Sequence, residues 1–425
     1  METIIKSIFA RQILDSRGNP TVEVDIRTKE GFGRVNIPSG ASTGQYEAVE
    51  LRDNKAEIYN GKSVMNAVNN VNSIISEKLI GFDAEKQDEI DSMMIEMDET
   101  DNKAKLGANA ILGVSLACAR VAADSLDVPL HKYIAQKYTD NSIYTLPVPM
   151  MNVLNGGMHA GGKLQMQEFM IMPIGEETFS SALQTGVECY HQLKAKIADK
   201  YGKSAVNVGD EGGYAPPFTV PEQPLDLLVE IIDEYGGGED KVKIAMDPAA
   251  SEFYDSKTQK YAVGENHYSP GELIDYYVDM IKTYPICSLE DPLEENDFDG
   301  FAEIVKKTNI QIVGDDLFVT NTKRIQKGID KKSANALLLK LNQIGTLSES
   351  VDAFNLAAKN GFNVVVSHRS GETCDSFISD FSVGMGSGQI KTGAPARGER
   401  TEKYNQLLRI EEAEKDCTFK NPFKK

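Results

Sequence analysis

Cysteine is scarce and scattered in this chain. Cys118, Cys189, Cys287, Cys374 and Cys417 are an odd number with no CxxC pair, which gives neither a disulfide framework nor a zinc ribbon. Basic residues are also in deficit, with 45 Lys and Arg against 64 Asp and Glu and a formal charge of −19. Such a surface repels nucleic acid and anionic membranes, so no nucleic-acid partner is expected. Any anionic ligand then needs a local basic patch or metal ions. No apolar stretch is long enough to cross a bilayer. Near the start, Lys6 and Arg11 interrupt Ile4, Ile5, Ile8 and Phe9, which breaks the continuous apolar run of an export signal. A reducing, cytoplasmic setting is expected.

At 425 residues the chain exceeds what one core usually organises, so two domains are expected. Thr21-Val22-Glu23-Val24-Asp25-Ile26 alternates with period two and predicts a half-buried strand, whereas Ser63 to Leu79 and Ala104 to Ala123 carry apolar residues at helical spacing. These imply a smaller N-terminal α+β domain over residues 1–138, with the polar segment Lys137 to Ser142 as its boundary. Residues 139–425 follow another grammar: a short apolar run, a polar residue, a loop, then a helical stretch.

The runs end in Asp247, Glu290, Asp315, Lys340, His368 and Lys391, separated by 43, 25, 25, 28 and 23 residues. Those spacings match one strand-helix unit, and the long first gap holds a predicted hairpin centred on Asp255-Ser256-Lys257-Thr258. Repeated units of this length imply parallel strands with right-handed crossovers, closed into a (β/α)8-type barrel. All strand C-termini then open on one face and gather the six polar residues at one mouth. Each alone reads equally as the first polar residue after a buried strand. Three acids followed by three cation-capable groups make coincidence a poor account.

Asp247, Glu290 and Asp315 offer hard oxygen donors with no imidazole or thiolate among them, which suits Mg²⁺. Lys340 would lie beside that ion, whose charge disfavours the ammonium and lowers its pKa, making the amine a base. Gly209-Asp210-Glu211-Gly212-Gly213 holds two acids between glycines that permit a tight turn. Glu211 is the candidate general acid, with an ordinary turn acid as the alternative. Asn155 to Gly162 surrounds His159 with four glycines, as a mobile lid or a plain flexible loop would. Ser39-Gly40-Ala41-Ser42-Thr43-Gly44 is similar to a phosphate loop without the Walker lysine. Gly384-Met385-Gly386-Ser387-Gly388 lacks a dinucleotide fingerprint's spacing and reads as structural.

Taken in order, these segments resemble the enolase family. The match runs from Leu14-Asp15-Ser16-Arg17-Gly18-Asn19-Pro20 to Gly393-Ala394-Pro395-Ala396-Arg397. It includes Leu339-Lys340-Leu341-Asn342-Gln343-Ile344-Gly345-Thr346 and Ser367-His368-Arg369-Ser370-Gly371-Glu372-Thr373. The resemblance implies a barrel of the enolase kind and reversible dehydration of 2-phospho-D-glycerate to phosphoenolpyruvate. It assigns one Mg²⁺ to Asp247, Glu290 and Asp315. A second Mg²⁺ arrives with substrate and is held partly by Ser42. Lys340 becomes the base at C2, and Glu211, paired with Glu168, the acid at the C3 hydroxyl. Gln167, His159, Glu168, His368, Arg369, Ser370 and Lys391 become substrate contacts, with Arg369 and Ser370 on the phosphate. A homodimer or an octamer of dimers is also implied.

Cys374, where the family often has an acid, and Asn54-Lys55, in place of a common Gly-Asp, depart from the pattern outside the proposed chemistry. Two other readings stay open: a related lyase or racemase acting on an unphosphorylated hydroxy acid, and an additional surface-binding role, noted for the family and for the terminal Lys424-Lys425.

Overall fold

In the computed structural model, residues 2–40, 44–139, 143–157 and 161–424 are described. The N-terminal region is an antiparallel meander of β1 (Ser7–Leu14), β2 (Pro20–Arg27) and β3 (Phe32–Asn36). The meander packs beneath helix α1 (Ala108–Ser125). The predicted strand Thr21–Ile26 lies inside β2, but it is buried on both faces rather than half-buried. Glu23 and Asp25 occupy its outer face, where Arg11 and Arg34 from the flanking strands cover them. Arg11 reaches both acids, and Arg34 Nε donates to Asp25 Oδ1 at 2.6 Å. Asn54 takes φ 56°, a left-handed conformation that asparagine tolerates better than most residues and that the replaced glycine would adopt freely.

Eight strands close the barrel: β4 (Val148–Asn155), β5 (Glu168–Pro173), β6 (Val242–Asp247), β7 (Ile286–Glu290), β8 (Gln311–Gly314), β9 (Ala336–Leu339), β10 (Asn363–Ser367) and β11 (Gly388–Lys391). Continuous apolar runs such as Ala336-Leu337-Leu338-Leu339 suit strands buried on both faces. Helices between them carry local start signals. Before α2 (Pro270–Thr283), the Ser269 Oγ accepts from Glu272 N, the Glu272 carboxylate accepts from Ser269 N at 2.8 Å, and Pro270 opens the first turn. The hairpin forms where the sequence predicts it, between Tyr254–Asp255 and Lys260–Val263, with a third strand at Asn266–Tyr268. Gly386 and Gly388 end one helix and begin β11, a structural role for the glycine run.

The barrel is not wholly parallel. β5 runs antiparallel to both β4 and β6, with Glu168 registered against Asn155 and Asp247. β5 therefore starts where its neighbours end. That reversal carries Glu168 to the mouth from the first position of its strand.

The N-terminal region leans on the same mouth. Ser39 and Gly371 exchange backbone hydrogen bonds at 2.7 and 2.9 Å, and Arg17 Nη2 donates to the carbonyls of Ser39 and Gly40.

Candidate active site

All six predicted strand-end residues meet at one cleft. Among the described residues it is lined by Glu47, Gln167, Glu168, Glu211, Asp247, Asp291, Asp315, Asp316, Lys340, His368, Arg369, Ser370 and Lys391, with Glu290 beneath Lys391. Lys391 Nζ lies 2.9 Å from Asp247 Oδ2, 2.8 Å from Glu290 Oε1 and 3.1 Å from Glu168 Oε2. Burial opposes its charge, but these carboxylates outweigh it and hold the ammonium well above its ordinary value. Burial likewise pushes Glu168 and Glu290 well above the usual carboxylate range.

Lys340, on the next strand end, donates to Asp315 Oδ2 at 2.5 Å, while Gln343 Nε2 donates to Asp315 Oδ1 at 2.8 Å. Burial pulls the Lys340 amine down, but Asp315 outweighs it and holds the ammonium above its ordinary value. The charge nearest the amine here is the Asp315 carboxylate; the lowering expected from the sequence belongs to the cluster with Mg²⁺ held beside the amine.

Three further acids were not singled out in the sequence. Asp291 and Asp316 directly follow Glu290 and Asp315, so doubled acids at two strand ends were the signal available. Carboxylate oxygens of Asp291, Asp315 and Asp316 lie within 4.8 Å of one another. Both Asp291 oxygens, however, accept backbone amides, from Asp315 at 3.0 Å and Asp316 at 2.7 Å, so Asp291 chiefly shapes the turn that presents Asp315. Burial, then the Asp315 charge, raises Asp316 to about 8. The third acid, Glu47, comes from the N-terminal region and receives both Arg369 Nη atoms, at 2.9 and 3.1 Å. Nothing local in the sequence points to Glu47.

The donor set fits a divalent cation. Seven acids line the cleft against three fixed cations, and Glu290 Oε2 is buried with no hydrogen-bond partner among the described residues. Such an excess is unfavourable without positive charge, and every donor is a hard oxygen.

Glu211 arrives on a separate loop. Gly212 takes φ 89°, and a Cβ on Gly213 would lie 2.1 Å from Asn155 Oδ1, so this turn can sit against β4 only with glycine. Glu211 Oε2 accepts from Asn152 Nδ2 at 3.0 Å and lies 3.3 Å from His368 Nε2. Gln167, His368, Arg369 and Ser370 are buried around the same space. Ser42 and His159 lie outside the described residues.

Comparison with known proteins gives the same answer along nearly the whole chain. Residues 5–134 match the family model of the enolase N-terminal domain, and residues 143–420 that of the enolase C-terminal TIM barrel domain. The chain belongs to the enolase family. An enolase of Methanocaldococcus jannaschii is 59% identical over 409 residues, covering 96% of this chain and 95% of the relative. One of Methanococcoides burtonii is 58% identical with the same coverage, and one of Methanococcus maripaludis is 57% identical over 428 residues, 99% of each chain. As an enolase the chain is a phosphopyruvate hydratase, a lyase of glycolysis, and magnesium dependence is general to the family. No helix among the described residues is long and apolar enough to cross a membrane.

Proposed function

We propose that this enolase works with Lys340 as the base that takes the C2 proton of 2-phosphoglycerate and Glu211 as the acid that protonates the departing C3 hydroxyl. One observation carries the reading. A single cleft holds a lysine amine seated on an acid cluster and, from a different loop, a buried carboxyl braced by Asn152 and His368. The C2 proton is weakly acidic because an ionised carboxylate adjoins it, and its removal doubles that charge. Lys391, kept protonated by three carboxylates, is the fixed cation for the substrate carboxylate. Arg369 already grips one anion, Glu47, through both Nη atoms, the geometry that suits a phosphate, and Ser370 adjoins it. Gln167, His159, His368 and Glu168 complete the substrate contacts. Burial, and then the neighbouring Glu211, raise Glu168, as expected for two acids that share one space and do not both ionise.

Asp247, Glu290 and Asp315 are the proposed ligands of one Mg²⁺, and Ser42 of a second that enters with substrate. When bound, magnesium supplies positive charge beside the substrate carboxylate. Asp291 is the less suitable ligand, since its oxygens hold backbone amides. A homodimer, or an octamer built from dimers, is proposed from the family and from exposed Phe9 and Leu14 on edge strand β1. A monomer in sedimentation velocity would remove that proposal.

The central test follows the absorbance of the enol product with Mg²⁺ and with chelator. Turnover should vanish on chelation and return with Mg²⁺. Mg²⁺ should also raise the melting temperature of the substrate-free protein, by mass action on the folded state, and should do so far less in Glu290→Gln. An equal rise in both proteins would exclude Glu290 as a ligand.

A further inference from the structure

Arg400, near the start of helix α3 (Gly398–Ala413), is fully buried, and neither the sequence motifs nor the proposed chemistry accounts for it. Its Nη1 donates to His368 Nδ1 and to Arg369 O, both at 2.6 Å. Its Nη2 donates to Ser370 O at 2.6 Å and Asp210 O at 3.0 Å. One guanidinium thus ties the loop after β10 to the residue preceding Glu211. Gly393 lies close by: a Cβ there would come within 2.9 Å of Arg400 Cδ and 2.8 Å of Glu211 O.

Guanidinium nitrogens carry protons and offer no acceptor, so the ring nitrogen facing Arg400 must be the unprotonated one. His368 therefore carries its proton on Nε2, and Nε2 faces Glu211 Oε2 at 3.3 Å. Burial, reinforced by the Arg400 charge, keeps the ring from taking a second proton, pushing His368 down to about 4 despite Glu211. Oε2 accepts from Asn152 Nδ2–H at 3.0 Å and has the His368 Nε2–H 3.3 Å away.

We propose that Arg400 is a positioning residue for the acid step: it locks His368 in the Nε2–H tautomer, so that a proton-bearing nitrogen rather than an acceptor faces Glu211 Oε2 beside Asn152. This rests on Glu211 being the acid. Arg400 itself touches neither substrate nor reacting atoms; it acts through His368.

The decisive measurement is ¹⁵N-NMR of histidine-labelled full-length protein at neutral pH, with the His368 signal assigned by its loss in His368→Gln. An Nε2-protonated, Nδ1-acceptor signature is expected in the native protein. An Nδ1–H tautomer or an imidazolium there overturns the proposal with no Arg400 variant needed. Arg400→Lys, which keeps the charge but not the fork, should mix the tautomers and lower turnover by about 100-fold. Exchange of the C2 proton, which precedes the acid step, should fall much less. Equal loss of exchange and turnover, or an unchanged tautomer with lost turnover, reduces Arg400 to a structural brace and also overturns the proposal. Native-level turnover in Glu211→Gln would instead remove the acid assignment, whatever tautomer His368 adopts.

Discussion

Near the N-terminal ends of the barrel strands, Gln311 and Gln389 exchange side-chain hydrogen bonds at 3.0 Å each way. Gln311 also donates to Ser288 Oγ at 3.0 Å and accepts from Asn363 at 2.8 Å. At the C-terminal ends of the same strands, Asp247, Glu290 and Glu168 crowd one ammonium, and Glu290 keeps a buried oxygen without a partner among the described residues. Both ends bury polar side chains. One is neutral and closes its own hydrogen bonds; the other carries surplus negative charge and pKa values displaced from the ordinary. Buried polarity alone therefore does not mark the working end. An imbalance that only a cation and a substrate can relieve does, and it lies on the face where barrels carry catalysis.

The largest effect that follows belongs to the mouth. Lys340→Ala should lower turnover by roughly 10³-fold or more, near the upper range for a lost general base, and abolish exchange at C2 with it. Glu211→Gln should cost turnover on the order of 10²-fold or more while leaving measurable exchange. Matching loss of exchange in the two variants would undo the division between base and acid.

Next comes a pH effect that the neutral end cannot produce. His368 is held at about 4, below its ordinary 6.5, so its contribution to stability is complete above 6.5 and is lost as pH falls through 4. The full amount is about 3 kcal/mol, because each tenfold weakening of proton binding in the folded state is worth about 1.4 kcal/mol. Asp91, raised to about 6 by burial, acts in the opposite sense over an overlapping range, so the quantity to follow is the difference in urea unfolding between native protein and His368→Gln. That difference should shrink between pH 6.5 and 4. A difference constant across that interval would show that the ring is not held neutral.

The sequence made one end of this comparison far easier to read than the other. Asp247, Glu290, Asp315, Lys340, His368 and Lys391 were legible because each follows a short apolar run at the spacing of one strand-helix unit, and the barrel converts that spacing into proximity. Glu168 was legible only through family resemblance, since its place at the mouth depends on the reversal of β5. Periodicity reports that residues form a strand and says nothing of its direction. Arg400 and Glu47 left no local signal: a charged residue on a helix or in a loop looks solvated until the partners that bury it are known. The closed amide ring was equally silent, because Gln311 and Gln389 are 78 residues apart and neither carries a pattern of its own.

The smallest effect on activity is expected at that ring. Gln389→Leu should orphan the Gln311 side chain inside the barrel and cost about 1–3 kcal/mol of stability, the usual penalty for a buried polar group that loses its partner. The mouth lies at the far ends of the same strands, and the variant leaves its charges untouched, so turnover per folded molecule should stay at the native level. Adding Gln311→Leu removes the orphaned amide and should recover part of the loss, because replacing both partners by apolar groups is far less costly than replacing one. Chemical unfolding of the two single variants and the double, read beside turnover of the folded fraction, separates the two ends. If Gln389→Leu lowered turnover as strongly as stability, the ends would be coupled through the strands, and the neutral ring would be part of the catalytic apparatus rather than its foundation.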